Sequence, residues 1–205
     1  MLTLVIETST TACSVALIDA TGIVARAHEV VGRGHAERLI PMIAALPDGG
    51  RAPRIIVDVG PGSFTGIRVG IAAARGLALG WQSDIAGFSS LALVAAGGFA
   101  AHEADTLAVV LEGGHGEVFM QTFAADLTPL APFASLRPDA ALAALAGRPA
   151  IGNGVHHLLA LDPSLRVIDA LPDAADAILL PAADLPAVPL YGRAPDAKLP
   201  GGKQP

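Results

Sequence analysis

The stretch Gly60-Pro61-Gly62-Ser63-Phe64-Thr65-Gly66-Ile67-Arg68-Val69-Gly70-Ile71-Ala72-Ala73-Ala74-Arg75-Gly76-Leu77-Ala78-Leu79-Gly80 decides how the chain is read. An apolar run at residues 55–59 precedes it and predicts a buried strand. The glycines and proline of 60–66 then predict a loop, and the pattern from Ile67 to about Gly80 is helical. A helix start after such a loop offers free N–H groups to an anion. However, Gly60-x-Gly62-x-x-x-Gly66 has one residue too many for the dinucleotide fingerprint and lacks the Gly-Lys-Ser/Thr ending of a P-loop. The loop therefore reads first as a strained turn with Ser63 or Thr65 as helix cap. Thr8, Ser9, Gly62, Ser63 and Thr65 remain candidates for a weak anion site.

The helix itself carries two stripes of small residues. Gly66, Gly70, Ala74 and Ala78 lie four apart, and Ala72, Gly76 and Gly80 form a second row. Each interior glycine costs about 1 kcal/mol relative to alanine. Close approach of another backbone is a reason to keep them. One stripe can face the chain's own sheet, which leaves the other for a partner subunit.

Moving outward, residues 2–6, 13–18 and 23–31 read as three strands of an antiparallel meander, with Thr8-Ser9-Thr10-Thr11 as its first turn. His35 opens a helix whose apolar residues are Leu39, Ile40, Met42, Ile43 and Leu46, closed by Pro47 and Gly49-Gly50. Residues 85–88 read as a strand, and Ser89 or Ser90 caps a helix running through Ala96. His102 to Asp105 is a polar break that places a lobe boundary, giving lobes 1–102 and 103–205. In the second lobe, 106–112 and 117–123 read as a hairpin around Gly113-Gly114, and 139–146 as a helix. Residues 124–185 carry few signals besides that helix and the turn Gly152-Asn153-Gly154. Residues 199–205 read as a frayed tail. The pattern predicts an α/β fold of two related lobes, with mixed sheets flanked by helices.

Composition narrows the function classes. Of 205 residues, 52% are hydrophobic and 16% charged, which excludes disorder throughout. The net charge of −6 falls entirely in residues 103–205, where six basic face twelve acidic residues; residues 1–102 hold seven of each. No basic patch of the kind that drives nucleic-acid binding is present, so any RNA reaction would be served through a partner. One cysteine, Cys13, excludes an internal disulfide framework and fits a reducing cytosol. The N-terminus has no basic n-region, and Glu7 interrupts its apolar run, so no signal peptide is expected; nor is a membrane span.

The residues also carry a resemblance. Ile6-Glu7-Thr8-Ser9 with Cys13-Ser14-Val15-Ala16-Leu17 resembles the opening of the TsaB family, the dimerisation subunits of the bacterial tRNA threonylcarbamoyladenosine machinery. Gly60 to Gly70, continued by Ala74-x-Gly76-Leu77-Ala78, is the longer and more specific match. His35 with Leu39, Ile40 and Pro41, then Gly116-Glu117-Val118-Phe119, and the ending Pro189-Leu190-Tyr191, Arg193 and Lys198-Leu199-Pro200 are also similar to that family. The resemblance implies the actin-like, sugar-kinase, heat-shock-protein (ASKHA) architecture. It implies a non-catalytic subunit, without cofactor or metal, that dimerises with the catalytic subunit TsaD through its two N-lobe helices. The pair works with the ATPase TsaE, and the complex transfers threonylcarbamoyl to adenosine beside the anticodon; tRNA would be met only indirectly. The docking residues so implied are His35, Leu39, Met42, Ile43, Ile67, Gly70, Ile71, Ala73, Ala74 and Leu77, and without its partner the chain would pair with itself. Two departures stand out: Glu7 where many relatives have Asp, and Glu112-Gly113-Gly114-His115 where an Asp-Ala-Arg turn is commoner.

Two alternatives remain. An actin-like ATPase or kinase would use the Thr8–Thr11 turn and the 60–66 loop, with Glu7, Asp58 or Glu112 holding magnesium. A metal-free hydrolase would use Ser63, which has no local histidine base. None of the six histidines is paired at His-x-x-x-His spacing, and His156 and His157 are consecutive, pointing to different faces of a helix.

Overall fold

The computed structural model describes residues 1–181 and 183–190. Strand β1 (Thr3–Glu7), β2 (Ala12–Asp19) and β3 (Gly22–Val30) form the meander, followed by α1 (His35–Ala44), β4 (Arg54–Asp58), α2 (Phe64–Trp81), β5 (Asp84–Phe88) and α3 (Ser90–Ala101). The first sheet has the order β3-β2-β1-β4-β5. β1 lies at its centre, antiparallel to β2 and parallel to β4, and β4 is parallel to β5.

Alternation of side chains explains why both faces of this sheet are covered. Leu4 and Ile6, Cys13, Val15 and Leu17, and Ile55 and Val57 point to one side, where they pack on Leu39, Met42, Ile43, Ile67, Ile71 and Ala74 of α1 and α2. Val5, Ala16, Ile18, Ile56 and Phe88 point to the other, against Leu93 of α3 and Ala174, Ala175 and Ala177.

The second lobe repeats the scheme with shorter pieces. Strands β6 (Thr106–Gly114), β7 (Glu117–Ala124) and β8 (Ala134–Leu136), helix α4 (Pro138–Leu145), β9 (Ala150–Ile151), α5 (Val155–Leu159) and β10 (Val167–Ile168) build a sheet of order β10-β9-β6-β7-β8. β6 is again antiparallel to its hairpin partner and parallel to a later strand, here β9. Two mixed sheets with helices on their faces are the two-lobed actin-like architecture.

Several boundaries move. The α3 helix runs five residues past Ala96, the end expected from the sequence, through Gly97-Gly98. The two glycines are instead contact residues: a Cβ on Gly98 would lie 2.9 Å from Ile151 Cδ1, and one on Gly97 would strike the Asp176 carboxylate. The hairpin turn sits at His115-Gly116, both at positive φ, because β6 continues through Gly113-Gly114 with a register shift. The elements β8, β9, β10 and α5 were not legible; each is two to five residues long. A 3-10 turn at Ala174–Leu179 and the chain after it return to the first lobe, where Leu190 N–H donates to Val59 O at 2.7 Å. The tail at 199–205, and the resemblance at Tyr191, Arg193 and Lys198, lie outside the described residues.

Candidate functional site

The meander turn and the 60–66 loop meet at the C-terminal ends of β1 and β4, and they close on each other. Ser63 N–H donates to Ser9 O at 2.6 Å, and Thr8 Oγ1 donates to Gly66 O at 2.8 Å. Gly62 and Gly66 permit this approach: a Cβ on Gly62 would strike the Ser9 carbonyl oxygen, and one on Gly66 that of Thr8. Ser63 caps α2 by accepting from Gly66 N–H at 3.2 Å. Of the five anion-site candidates, Thr8 and Ser9 are buried and hydrogen-bonded, Gly62 is half-buried and pressed against Ser9, and Ser63 and Thr65 are exposed. The structure assembles them into a loop-to-loop clasp.

Beneath the clasp lies a pair of fully buried carboxyls, Glu7 and Asp58. Ser9 donates to Glu7 Oε1 through both its N–H and its hydroxyl, each at 2.6 Å. Gly60 N–H donates to Asp58 Oδ1. Glu7 Oε2 and Asp58 Oδ2 have no donor. Burial, and then the charge of Glu7, hold the Asp58 carboxyl well above the usual carboxylate range. A proton kept on the Asp58 carboxyl relieves its repulsion with Glu7. Magnesium chemistry asks instead for exposed, ionised carboxylates.

Cys13 is buried in β2, and burial, with Glu7 and Glu29 adding, pushes its thiol up to about 11. It is a thiol, not a nucleophile, at neutral pH.

Helices α1 and α2 lie side by side on the first sheet. Their inward faces correct the residue choice made from sequence. His35, Leu39, Met42, Ile43, Ile67, Gly70, Ile71 and Ala74 are buried in the chain's own core, and His35 Nε2 bonds Ala12 O at 2.9 Å. Gly70 is there for the sheet: a Cβ would strike Thr8 Oγ1. The reason is the helical period: the bulky residues and the Gly66-Gly70-Ala74-Ala78 stripe share one side, and the sheet claims it. Ala73 and Leu77 are half-buried.

The outward face belongs to the second stripe. Ala72, Gly76, Leu79 and Gly80 are exposed, and nothing lies within 4 Å of a Cβ built on Gly76 or Gly80. Leu79 is 85% exposed and Ile40 on α1 is 48% exposed, with Ala36 and Ala44 beside it along α1. The two helices therefore show a smooth, largely apolar surface.

The histidines form a group that local spacing does not show. His156 and His157, though consecutive, come together with Glu112 from the end of β6. Sequence spacing could not find this group, because its third member is more than forty residues away.

Among the described residues, no helix is long and apolar enough to cross a membrane. The profile of the family described as TsaD, tRNA N6-adenosine threonylcarbamoyltransferase, matches residues 19–134, more than half of the chain. The tRNA threonylcarbamoyladenosine biosynthesis protein TsaB of Escherichia coli is 36% identical over 131 residues, covering 60% of this chain and 55% of that protein. The chain thus spans about half the length of the curated TsaB relatives it matches first. An uncharacterized protein of Mycobacterium tuberculosis is 35% identical over 206 residues, covering 95% of this chain and 93% of its own. The crystal structure of an uncharacterized Pseudomonas aeruginosa protein, described as similar to peptidase YEAZ, superposes with a TM-score of 0.79 at 28% identity, covering 94% of this chain and 99% of that one.

Proposed function

We propose, from the premise that this chain belongs to the TsaB family, that it is a non-catalytic scaffold in the biosynthesis of threonylcarbamoyladenosine in tRNA, docking the catalytic subunit TsaD and activating it. The observation that carries this reading is the pairing of a closed clasp with an open helix face. The turns that would cradle a phosphate are bonded to each other, while α1 and α2 leave Ile40, Ala72, Gly76 and Leu79 uncovered. A surface of small residues suits the close approach of two further helices, and TsaD, as the related fold, would bring them.

The pair works with the ATPase TsaE, and the chain meets tRNA only through the assembly. A tRNA pathway and a single buried, reduced cysteine suit the cytoplasm. In isolation the same face would pair with a second copy of the chain, since a two-fold contact closes on itself.

The test is reconstitution. Purified chain should neither turn over ATP nor transfer threonylcarbamoyl alone, and should raise the transfer rate of TsaD with TsaE when added to them. Tight, magnesium-dependent ATP binding with turnover by the isolated chain would sink the scaffold reading in favour of the kinase one.

A further inference from the structure

We propose that Glu112, His156 and His157 form a binding site for a divalent transition metal of the zinc class in the second lobe. The three side chains come from two elements: Glu112 from the end of β6, and both histidines from the first turn of α5. One ligand atom of each lies within 4.8 Å of the others.

The spacing of the ligand atoms suits a shared ion. His156 Nε2 is 3.6 Å from Glu112 Oε1. Two ligands on a tetrahedral zinc ion, each about 2.1 Å from it, stand about 3.4 Å apart. The rings of His156 and His157 are 4.0 Å apart at their centroids and tilted by 38°, so they do not stack flat.

A supporting hydrogen bond fixes the tautomer. His156 Nδ1 is 2.8 Å from Asn153 O. A carbonyl oxygen only accepts, so Nδ1 carries the hydrogen and Nε2 keeps its lone pair, the arrangement typical of metal-bound histidines. The same Asn153 anchors the other element: its Oδ1 accepts from Glu112 N–H at 3.2 Å. The turn before α5 thus holds the carboxylate and the imidazole toward one point.

Two imidazoles and one carboxylate match zinc's borderline character better than that of magnesium or calcium, which prefer all-oxygen shells. Three protein ligands leave a fourth position for water. Glu112 and His156 are solvent-exposed, so the ion can enter without opening the fold. Bound there, it would brace β6 to α5 across the Gly152-Asn153-Gly154 turn. The site is independent of the docking face and of the scaffold reading.

The test is titration of the tag-free chain with zinc ion near neutral pH, by calorimetry and by competition with a chromophoric chelator. One equivalent should bind saturably, and cobalt ion should give the absorption bands of a four-coordinate centre. Glu112→Gln, His156→Ala and His157→Ala should each weaken binding on the order of tenfold or more, and His102→Ala should not. Circular dichroism checks that each variant stays folded. Zinc should raise the melting temperature of the parent and not of His156→Ala. Binding without saturation, or binding that fewer than two of the three variants weaken, overturns the proposal and leaves an ordinary Glu112–His156 ion pair.

Discussion

Glu7 and Asp58 would repel each other if both were charged, and neither can reach water. A proton on Asp58 removes the conflict. Because burial and the Glu7 charge raise the Asp58 pKa in the folded chain, the folded state binds more protons than the unfolded state above the ordinary carboxylate pKa of about 4. This contribution to stability is full in acid and is lost as pH rises through the raised folded value. Asp58→Asn puts a non-titrating amide where the proton sits and keeps the acceptor for Gly60 N–H. Its urea midpoint should therefore exceed the parent's at about pH 9 and converge toward it near pH 4, each tenfold in proton affinity being worth about 1.4 kcal/mol. Parallel pH profiles for the two would mean that Asp58 does not hold a proton above the usual carboxylate range. Ser63 invites a second single-residue test. As the cap of α2, its loss in Ser63→Ala should cost about 1 kcal/mol of stability. The stimulation of transfer should survive, whereas a hydrolase activity of the isolated chain that Ser63→Ala abolishes would support the hydrolase alternative.

At the scale of elements, the two glycine rows of α2 part company. Gly70 faces β1 and β4, with Thr8 Oγ1, Val57 and Ile6 around its missing Cβ. Gly70→Leu should unfold or strongly destabilise the chain, by the few kcal/mol typical of overpacking. Gly76 faces open space, so Gly76→Leu should leave the melting temperature unchanged or raise it, since leucine is the better helix former by somewhat under 1 kcal/mol. Size exclusion with TsaD should nevertheless show weakened complex formation for Gly76→Leu; a normal complex would remove the outer face as the docking surface. The existence and period of α1 and α2 were legible because ten or more residues repeat a pattern. Which row faced inward was not, because glycine and alanine stripes look alike until a sheet is laid against one of them. The second-lobe strands of two or three residues are too short for any period to register. The Glu112 and histidine group was invisible for a different reason: its members are joined by the parallel β6–β9 pairing, which no local spacing encodes.

Across the whole molecule, the chain's return after the second lobe ties the parts together. Helix α3 contributes Leu93 to the first lobe's core and Leu91, Val94 and Ala95 to the second's. Residues 173–181 and 183–190 then return to the first sheet. Ser14, buried in β2, donates to Asp173 Oδ1 at 3.2 Å and accepts from Ala174 N–H at 2.9 Å, while Asp173 Oδ1 also accepts from Ala175 N–H and so caps the 3-10 turn. Arg54 and Arg75 hold the carbonyls of Ala183 and Ala187. Without this strap the sheet face bearing Val5, Ala16, Ile18 and Ile56 would lose the alanines that cover it. Ser14→Ala removes one buried acceptor and should cost about 1–3 kcal/mol, the penalty of leaving the Ala174 N–H unpaired. A chain ended after Pro172 should fare much worse, binding a hydrophobic dye and melting without a sharp transition, because Leu93 of α3 does not replace the lost alanines on that face. A truncated chain that melts as the full one does would show that the first lobe is complete without the strap. The order of severity, truncation well beyond Ser14→Ala, follows from burying an apolar face against satisfying one N–H group.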